Sequence, residues 1–240
     1  MGKRLIVACT LLVLLAMPVG AAEFRFDAAF TPGDFETLAE AVADVIVFPN
    51  MGPAAPGGVL GFEALAVAGA GQVDTKSHWW RHGVAGSAAG GLLLGPRLVA
   101  RKGLPARLDL GAQAGKMLGE EFIGAELRWA ILDGGMISPA VALRASYSRL
   151  SGAPFDLEVA EAQLVISKGM PLLTPYAAVG YRGVEASAFF GDPAPRDHRV
   201  RAERVTGAAG FRLSLLPFKL VAEARQGARM SYFVGIGAGL

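Results

Sequence analysis

The sequence predicts an all-β fold: a closed antiparallel barrel of about ten strands, preceded by a short amphipathic helix. Three observations lead there. The first is alternation. In ARLDLGAQAGKMLGEEFIGAELRWAILDGG (106–135), Leu108, Leu110, Ala112 and Ala114 share one parity, and Arg107, Asp109, Gly111 and Gln113 share the other. The pattern resumes with Ile123, Ala125, Leu127, Trp129 and Ile131 against Gly124, Glu126 and Arg128. Successive strand residues face opposite sides, so this is a two-faced sheet. The second is composition: 52% of residues are hydrophobic and 32 are glycine, yet no apolar run after residue 22 reaches the ~18 residues a spanning helix needs. The third is the connections. Four tight turns, GLP (103–105), LDGG (132–135), GMP (169–171) and LLPF (215–218), fall at one end of the strands, and the long segments 73–90 and FFGDPAPRDHRVR (189–201) fall at the other.

The elements follow in order. Residues 1–22 read as a secretory signal peptide: MGKR is basic, LIVACTLLVLLAM is apolar, and PVGAA offers small residues for cleavage near Ala21 or Ala22. Cys9 follows Ile-Val-Ala as in a lipoprotein box, but nearly all of the apolar run lies behind it, against lipidation. Cys9 is the sole cysteine, so its loss with the leader excludes disulfides, thiol nucleophiles and cysteine metal sites. Removing Lys3 and Arg4 takes the 23 basic residues to 21, equal to the 21 acids. A neutral chain gives no reason to expect nucleic acid as a partner.

TPGDFETLAEAVADVIVF (31–48) predicts a helix: Thr31 is the N-cap, Pro32 takes the first helical position, and Asp34 completes a capping box. Phe35, Leu38, Val42 and Val45 share one face; Glu36, Glu40 and Asp44 form a stripe at i, i+4, i+8. Between residues 27 and 50 there are five acids and no Lys or Arg. The linker NMGPAAPGG (50–58) follows, then ten strands at about 58–72, 91–103, 105–116, 120–132, 136–150, 156–169, 172–186, 200–214, 217–227 and 229–240.

Alternation alone does not choose between a membrane barrel and a secreted soluble barrel that binds an apolar ligand, because inverting the faces gives the same string. Three features favour a transmembrane barrel. Most strands are long enough for a tilted span of ~9–11 residues. Aromatics of the apolar parity gather near strand ends: Trp129, Phe211 and Phe218 toward the tight turns, Tyr147, Tyr181 and Tyr232 toward the loops, as in interfacial girdles. The charged parity is mostly Arg with Gly, whereas Lys76, Lys102, Lys116, Lys168 and Lys219 lie at or near strand ends and loops; Arg suits paired, partly desolvated sites better than Lys.

The signal peptide, the ten alternating strands and the alternating end SYFVGIGAGL resemble a small bacterial outer-membrane β-barrel over about residues 58–240. The resemblance is one of pattern and names no subfamily. It implies a Gram-negative outer membrane, with membrane lipid as the partner. The last residue is Leu240, with Ala238 two before it, where such barrels usually end in Phe or Trp. The domain reading is a leader (1–22), an acidic helix and linker (23–57), and a barrel (58–240).

If the apolar parity faces lipid, the other lines a lumen. Its charges are Glu63, Arg97, Arg101, Arg107, Asp109, Glu126, Arg128, Arg144, Glu161, Arg182, Arg204, Arg212, Lys219, Glu223 and Arg225: ten basic, five acidic. Ten strands lie near the eight at which side chains fill the interior. The expectation is therefore either a closed ion-pair core or a narrow path that prefers anions, with a small anionic or apolar solute as its cargo. The acids Asp34, Glu36, Glu40 and Asp44 would make the helix a plug meeting luminal arginines; the bland counterpart is a periplasmic helix packed on the rim. Long-chain fatty-acid transporters also carry an N-terminal plug, but a larger one.

A lipid-modifying enzyme is the third reading. His78, His82 and His198 lie in the two long loops, near Ser77, Asp192 and Asp197. No GxSxG elbow is present and the spacing matches no catalytic motif, so no catalytic residue is assigned. His78 and His82 lack a third metal ligand, and Trp79 and Trp80 read as interface anchors. GAQAG (111–115) opens no helix and holds no nucleotide. No cofactor is expected.

Overall fold

In the computed structural model, which describes residues 22–86, 91–135, 137–152, 154–190, 196–215 and 217–239, ten strands close into one antiparallel barrel. The signal peptide through Ala21, and Leu240, lie outside the described residues. In chain order the elements are β1 (Glu23–Phe24), α1 (Pro32–Ile46), β2 (Phe62–Gln72), α2 (His78–Gly83), β3 (Val84–Ala85), β4 (Leu92–Leu104), β5 (Leu108–Met117), β6 (Glu120–Leu132), β7 (Ala140–Ser151), β8 (Phe155–Ser167), β9 (Leu173–Phe190), β10 (Arg196–Leu215), β11 (Phe218–Gln226) and β12 (Met230–Gly239). Each barrel strand pairs with the next in the chain, and β12 closes onto β2 from Ser231↔Gly71 to Gly239↔Glu63. Closure leaves no sheet edge.

All ten expected strands are present, with shifted ends. β2 starts at Phe62 and β7 at Ala140, later than the alternation predicts. The segment 187–199, read as a loop, is largely strand: β9 runs to Phe190 and β10 begins at Arg196, paired from Arg196↔Phe190 onward. Cross-strand charges such as Arg201 and Glu185, 3.5 Å apart, fit a solvated hairpin of this kind. The segment 73–90 is not simply a loop either. It holds α2 and β3, and β3 pairs with β1 through Glu23↔Ala85 and Phe24↔Val84. The link between β5 and β6 is a two-residue turn, with positive φ at Leu118 (47°) and Gly119 (89°). That matches the turn type whose twist suits a hairpin.

The outer face carries Leu98, Leu110, Ile123, Leu127, Leu143, Leu164, Val179, Val205 and Val234, all well exposed. Trp129, Phe211 and Phe218 stand on it toward the tight-turn end; Tyr147, Tyr181 and Tyr232 stand toward the long-loop end. Beyond that second band the faces exchange character. Arg149, Asp156, Glu158, Glu185, Arg201 and Glu203 point outward and pair among themselves. Leu150, Leu157, Val159 and Val184 point inward and are buried. A single apolar parity running the full length of each strand is therefore corrected: the rule holds only between the two aromatic bands.

The core lies inside the barrel and is built on the N-terminal segment. α1 starts as its cap residues dictate, with Thr31 Oγ1 accepting the Asp34 N–H and Asp34 accepting the Thr31 N–H at 2.9 Å. Phe35, Leu38, Val42, Val45 and Ile46 are fully buried in one apolar cluster with wall residues that include Leu93, Phe155, Leu157 and Val159 of the long-loop half. Phe26, Phe30, Phe35, Phe155 and Phe190 interlock in stacked and edge-on pairs. This apolar packing, not helix propensity, holds a 15-residue helix in place.

Candidate functional site

The chain from Ala22 to Gly57 runs through the barrel from the long-loop end to the tight-turn end. At the start, the Arg25 N–H bonds the Gly83 carbonyl at 2.9 Å and the Asp27 N–H bonds the His82 carbonyl at 3.0 Å, both beside α2. Near the end of α1, Asp44 accepts from the backbone N–H of Arg229 (2.7 Å) and Ala228 (3.2 Å), in the β11–β12 turn. At the far end, the Ala54 N–H reaches Ser167 Oγ (2.9 Å) and the Gly57 N–H reaches Asp109 (2.9 Å). The helix thus enters from the loop end. It packs inside the wall rather than on the rim.

The sequence explains why residues 45–57 suit this course. The last carbonyls of a helix have no intrahelical partner, and Pro49, Pro53 and Pro56 have no N–H to donate. The segment thus carries more acceptors than donors, and arginines are donors only. Eight main-chain carbonyls accept from wall arginines. Arg97 donates to Val45, Ile46 (3.4 Å) and Val47 (3.0 Å). Arg144 donates to Phe48 (2.7 Å) and Pro49 (3.4 Å). Arg101 donates to Pro49 (3.2 Å), Asn50 (2.6 Å) and Met51 (3.3 Å). Arg128 donates to Asn50 (3.0 Å) and Pro53 (2.6 Å), and Arg212 to Met51 (2.8 Å). The few donors of the segment find wall acceptors: the Asn50 and Met51 N–H groups reach the Glu223 carboxylate at 3.1 and 2.9 Å. A Cβ at Gly52 would run into the Arg212 guanidinium, so a larger residue there would have to push that side-chain end aside.

The charges expected in the lumen take distinct positions. Glu63, Arg97, Arg101, Asp109, Glu126, Arg128, Arg144, Glu161, Arg182, Glu223 and Arg225 point inward and are buried. Arg204, Arg212 and Lys219 are half-buried on the same face. Arg107 is not luminal. It sits in the β4–β5 turn with φ of 63° and pairs outside with Asp133 at 3.2 Å, because the hairpin twist rotates it off the strand parity.

The buried carboxylates each serve several cations. Glu126 meets Arg101, Arg144 (2.6 Å) and Arg128 (3.7 Å). Glu161 meets Arg225 (2.6 Å) and Arg144 (3.6 Å), and accepts from Thr206 Oγ1 at 2.7 Å. Glu63 meets Arg101 (3.3 Å), Arg212 (2.8 Å) and Lys219 (3.1 Å). Arg97 faces no carboxylate among the described ion pairs. Besides the helix carbonyls it has the Phe122 and Phe233 rings, 4.7 and 5.2 Å away.

Of the four helix acids, two reach luminal arginines: Glu40 pairs with Arg204, and Asp44 pairs with Arg182 at 2.7 Å. Asp34 does not. It closes the capping box, and its carboxylate accepts from His78 Nδ1 at 2.8 Å. Burial raises its pKa, but the Thr31 hydroxyl and amide and His78 outweigh burial and hold it below the ordinary value. Glu36 is exposed. The backbone carbonyls, which sequence reading missed, hold the segment more than the acid stripe does.

The loop histidines sit at the mouth. His82 Nδ1 contacts Asp27 at 2.9 Å, and that bond keeps the Asp27 carboxyl below its usual range. His198 stacks on Phe190 at 4.2 Å. Ser77 Oγ donates to the Asp74 carbonyl at 2.6 Å. Trp79 and Trp80 are buried in the cluster around α1, with Arg229 over Trp79 at 5.7 Å; they anchor α2 to that core rather than facing outward at an interface, as the sequence had suggested. Asp192 lies outside the described residues. No group of three or more metal-ligating side chains occurs among the described residues.

No family model and no curated protein matches this chain. Solved structures that resemble it are bacterial outer-membrane β-barrels. The N-terminal barrel domain of Pseudomonas aeruginosa OprF is 12% identical, covering 76% of this chain and 99% of its own, with a TM-score of 0.38. The attachment invasion locus protein Ail of Yersinia pestis is 11% identical, covering 75% and 97%, at 0.36. The KdgM porin is 9% identical, covering 73% and 98%, at 0.38. TM-scores of this size assign neither a subfamily nor a function.

Proposed function

We propose that this chain is an integral outer-membrane barrel held shut from within by its own N-terminal segment, residues 23–57, after removal of a leader at 1–22. The carrying observation is the set of eight consecutive or near-consecutive carbonyls, Val45 to Met51 and Pro53, that accept from five wall arginines. An apolar outer face between two aromatic bands, with a charged outer face beyond, supports lipid contact. A soluble barrel would bury that apolar face instead. The reach is adequate: the eleven residues Val47–Gly57, at ~3.3 Å each, extend to about 36 Å, more than the ~25 Å apolar band of such barrels.

In this reading the wall is basic and the segment neutralises it with carbonyl dipoles and two carboxylates. Withdrawing the segment would leave Arg97, Arg101 and Arg128 lining a narrow path that favours anions. Planar-bilayer conductance of the refolded mature chain, beside one lacking residues 23–57, tests this. Faster gel migration before boiling serves as the control for folding. The reading expects a silent intact protein and an anion-selective truncated one. Steady conductance through the intact protein would overturn the seal. Silence of a folded truncated barrel would mean that the wall charges close the lumen unaided.

A further inference from the structure

The inward charges do not balance. Among the described residues, nine cations (Arg97, Arg101, Arg128, Arg144, Arg182, Arg204, Arg212, Lys219, Arg225) face five wall carboxylates (Glu63, Asp109, Glu126, Glu161, Glu223) and the two from α1, Glu40 and Asp44. Toward the loop end the charges pair one to one, Arg182 with Asp44 and Arg204 with Glu40. Arg97 is met by helix carbonyls and two aromatic rings. That leaves one unmatched positive charge, and cations outnumber carboxylates at the tight-turn end, around a cavity of about 70 Å³.

Arg101, Arg128, Arg212 and Lys219 line that cavity against Glu63 and Asp109. Glu63 is already shared by three of these cations, and Asp109 accepts the Gly57 N–H at 2.9 Å. Arg128 Nε and Arg212 Nε are buried and, among the described residues, have no acceptor. The Arg128 side chain is only 4% exposed. A buried guanidinium N–H without a partner is costly, and an unmatched positive charge in the same cluster adds to that cost. One small anion with several oxygens answers both.

We propose that this cavity is a binding site for a small tetrahedral oxyanion, phosphate or sulfate in class, held by Arg128 and Arg212 with Lys219 at its rim. At about 30 Å³ per water the volume corresponds to roughly two waters, enough for such an ion and too small for a sugar or a lipid headgroup with its glycerol. The strands wall the cavity off from the outer face, so the anion comes from solution at the tight-turn end. The site does not depend on whether the barrel conducts. Its failure would leave the seal of the lumen untouched.

The test uses the refolded mature chain in a non-ionic detergent free of phospholipid. Thermal unfolding is followed by tryptophan fluorescence while phosphate or sulfate replaces chloride at constant ionic strength. The expected result is a saturable rise in Tm with either oxyanion, and an apparent Kd weakened at least tenfold in Arg128→Gln and in Lys219→Met. Lys219 touches the segment least, so its variant keeps the test alive if Arg128→Gln does not fold. A response equal to that of chloride, or one unchanged in a folded variant, would overturn the site.

Discussion

Replacing Asp44 with Ala should unseat the end of α1, and the structure gives the scale. Both side chains of the Asp44–Arg182 pair are 2% exposed. Arg182 has Asp44 as its partner at 2.7 Å, while its Nε and Nη2 have no acceptor among the described residues. Removing the carboxylate leaves a buried, uncompensated guanidinium, a loss of about 3–5 kcal/mol. The reverse change is milder. In Arg182→Met, Asp44 keeps the Arg229 and Ala228 N–H groups, so the loss is that of one charge-assisted hydrogen bond, about 1.5–3 kcal/mol. The double variant has no orphaned cation and should fall short of the summed losses by roughly 2 kcal/mol, within the range for contacting residues. Urea unfolding of the four proteins in lipid vesicles, with each transition checked for reversibility, measures the cycle. Additivity within ~0.5 kcal/mol would refute the reasoning, because helix and wall would then not be in contact.

Other consequences follow from the same geometry. Val179→Arg, on the outer face near mid-strand, should cost about 2–4 kcal/mol if that face meets lipid, and within ±0.5 kcal/mol if it meets water; unfolding from vesicles separates the two. Thr31→Ala removes the α1 cap and should cost ~1 kcal/mol, read as a fall in Tm. Asp34 has a folded pKa below its ordinary value, so its share of stability is full above that value and is lost as pH falls through the lower, folded one. Thr31→Ala should therefore flatten the acid-side loss between about pH 4 and the folded pKa, measured by melts across pH 3–6. An epitope inserted after Ala22 should react with antibody on intact cells, since β1 lies with β3 at the long-loop end; reactivity only after permeabilisation would put that end inside.

The strands were legible because a period of two and turn residues such as those of GLP (103–105) and LDGG (132–135) are local signals. The inversion of faces near Leu150 and Leu157 was also written in the chain, as Arg149, Asp156 and Glu158 on the opposite parity, but a single rule applied to whole strands passed over it. Arg107 was misassigned because a positive φ in the turn breaks the alternation that parity assumes. The course of the N-terminal segment was less accessible. Acid side chains announce themselves in a sequence, whereas backbone carbonyls do not, so Glu36 and Asp34 were grouped with Glu40 and Asp44. The readable hint was a run with Pro49, Pro53 and Pro56 and no charge, ahead of strands rich in Arg. α2 gave no hint at all: six residues, without a side-chain cap bond, are helical because Trp79 and Trp80 pack into the core.

The central claim is that the helix end sits inside the wall, and a disulfide trap tests it most directly. The sole cysteine, Cys9, belongs to the expected leader, so paired cysteines can be introduced cleanly. A Cβ at Gly71 would lie 2.7 Å from Val45 Cγ2, close to the spacing a disulfide requires, and neither residue carries a charge that the seal needs. The mature Val45→Cys/Gly71→Cys chain should form an intramolecular disulfide in intact cells, seen as a mobility shift that reductant reverses, while a Glu36→Cys/Gly71→Cys control should not. A folded, heat-modifiable Val45→Cys/Gly71→Cys barrel that stays fully reduced under oxidant would contradict the account.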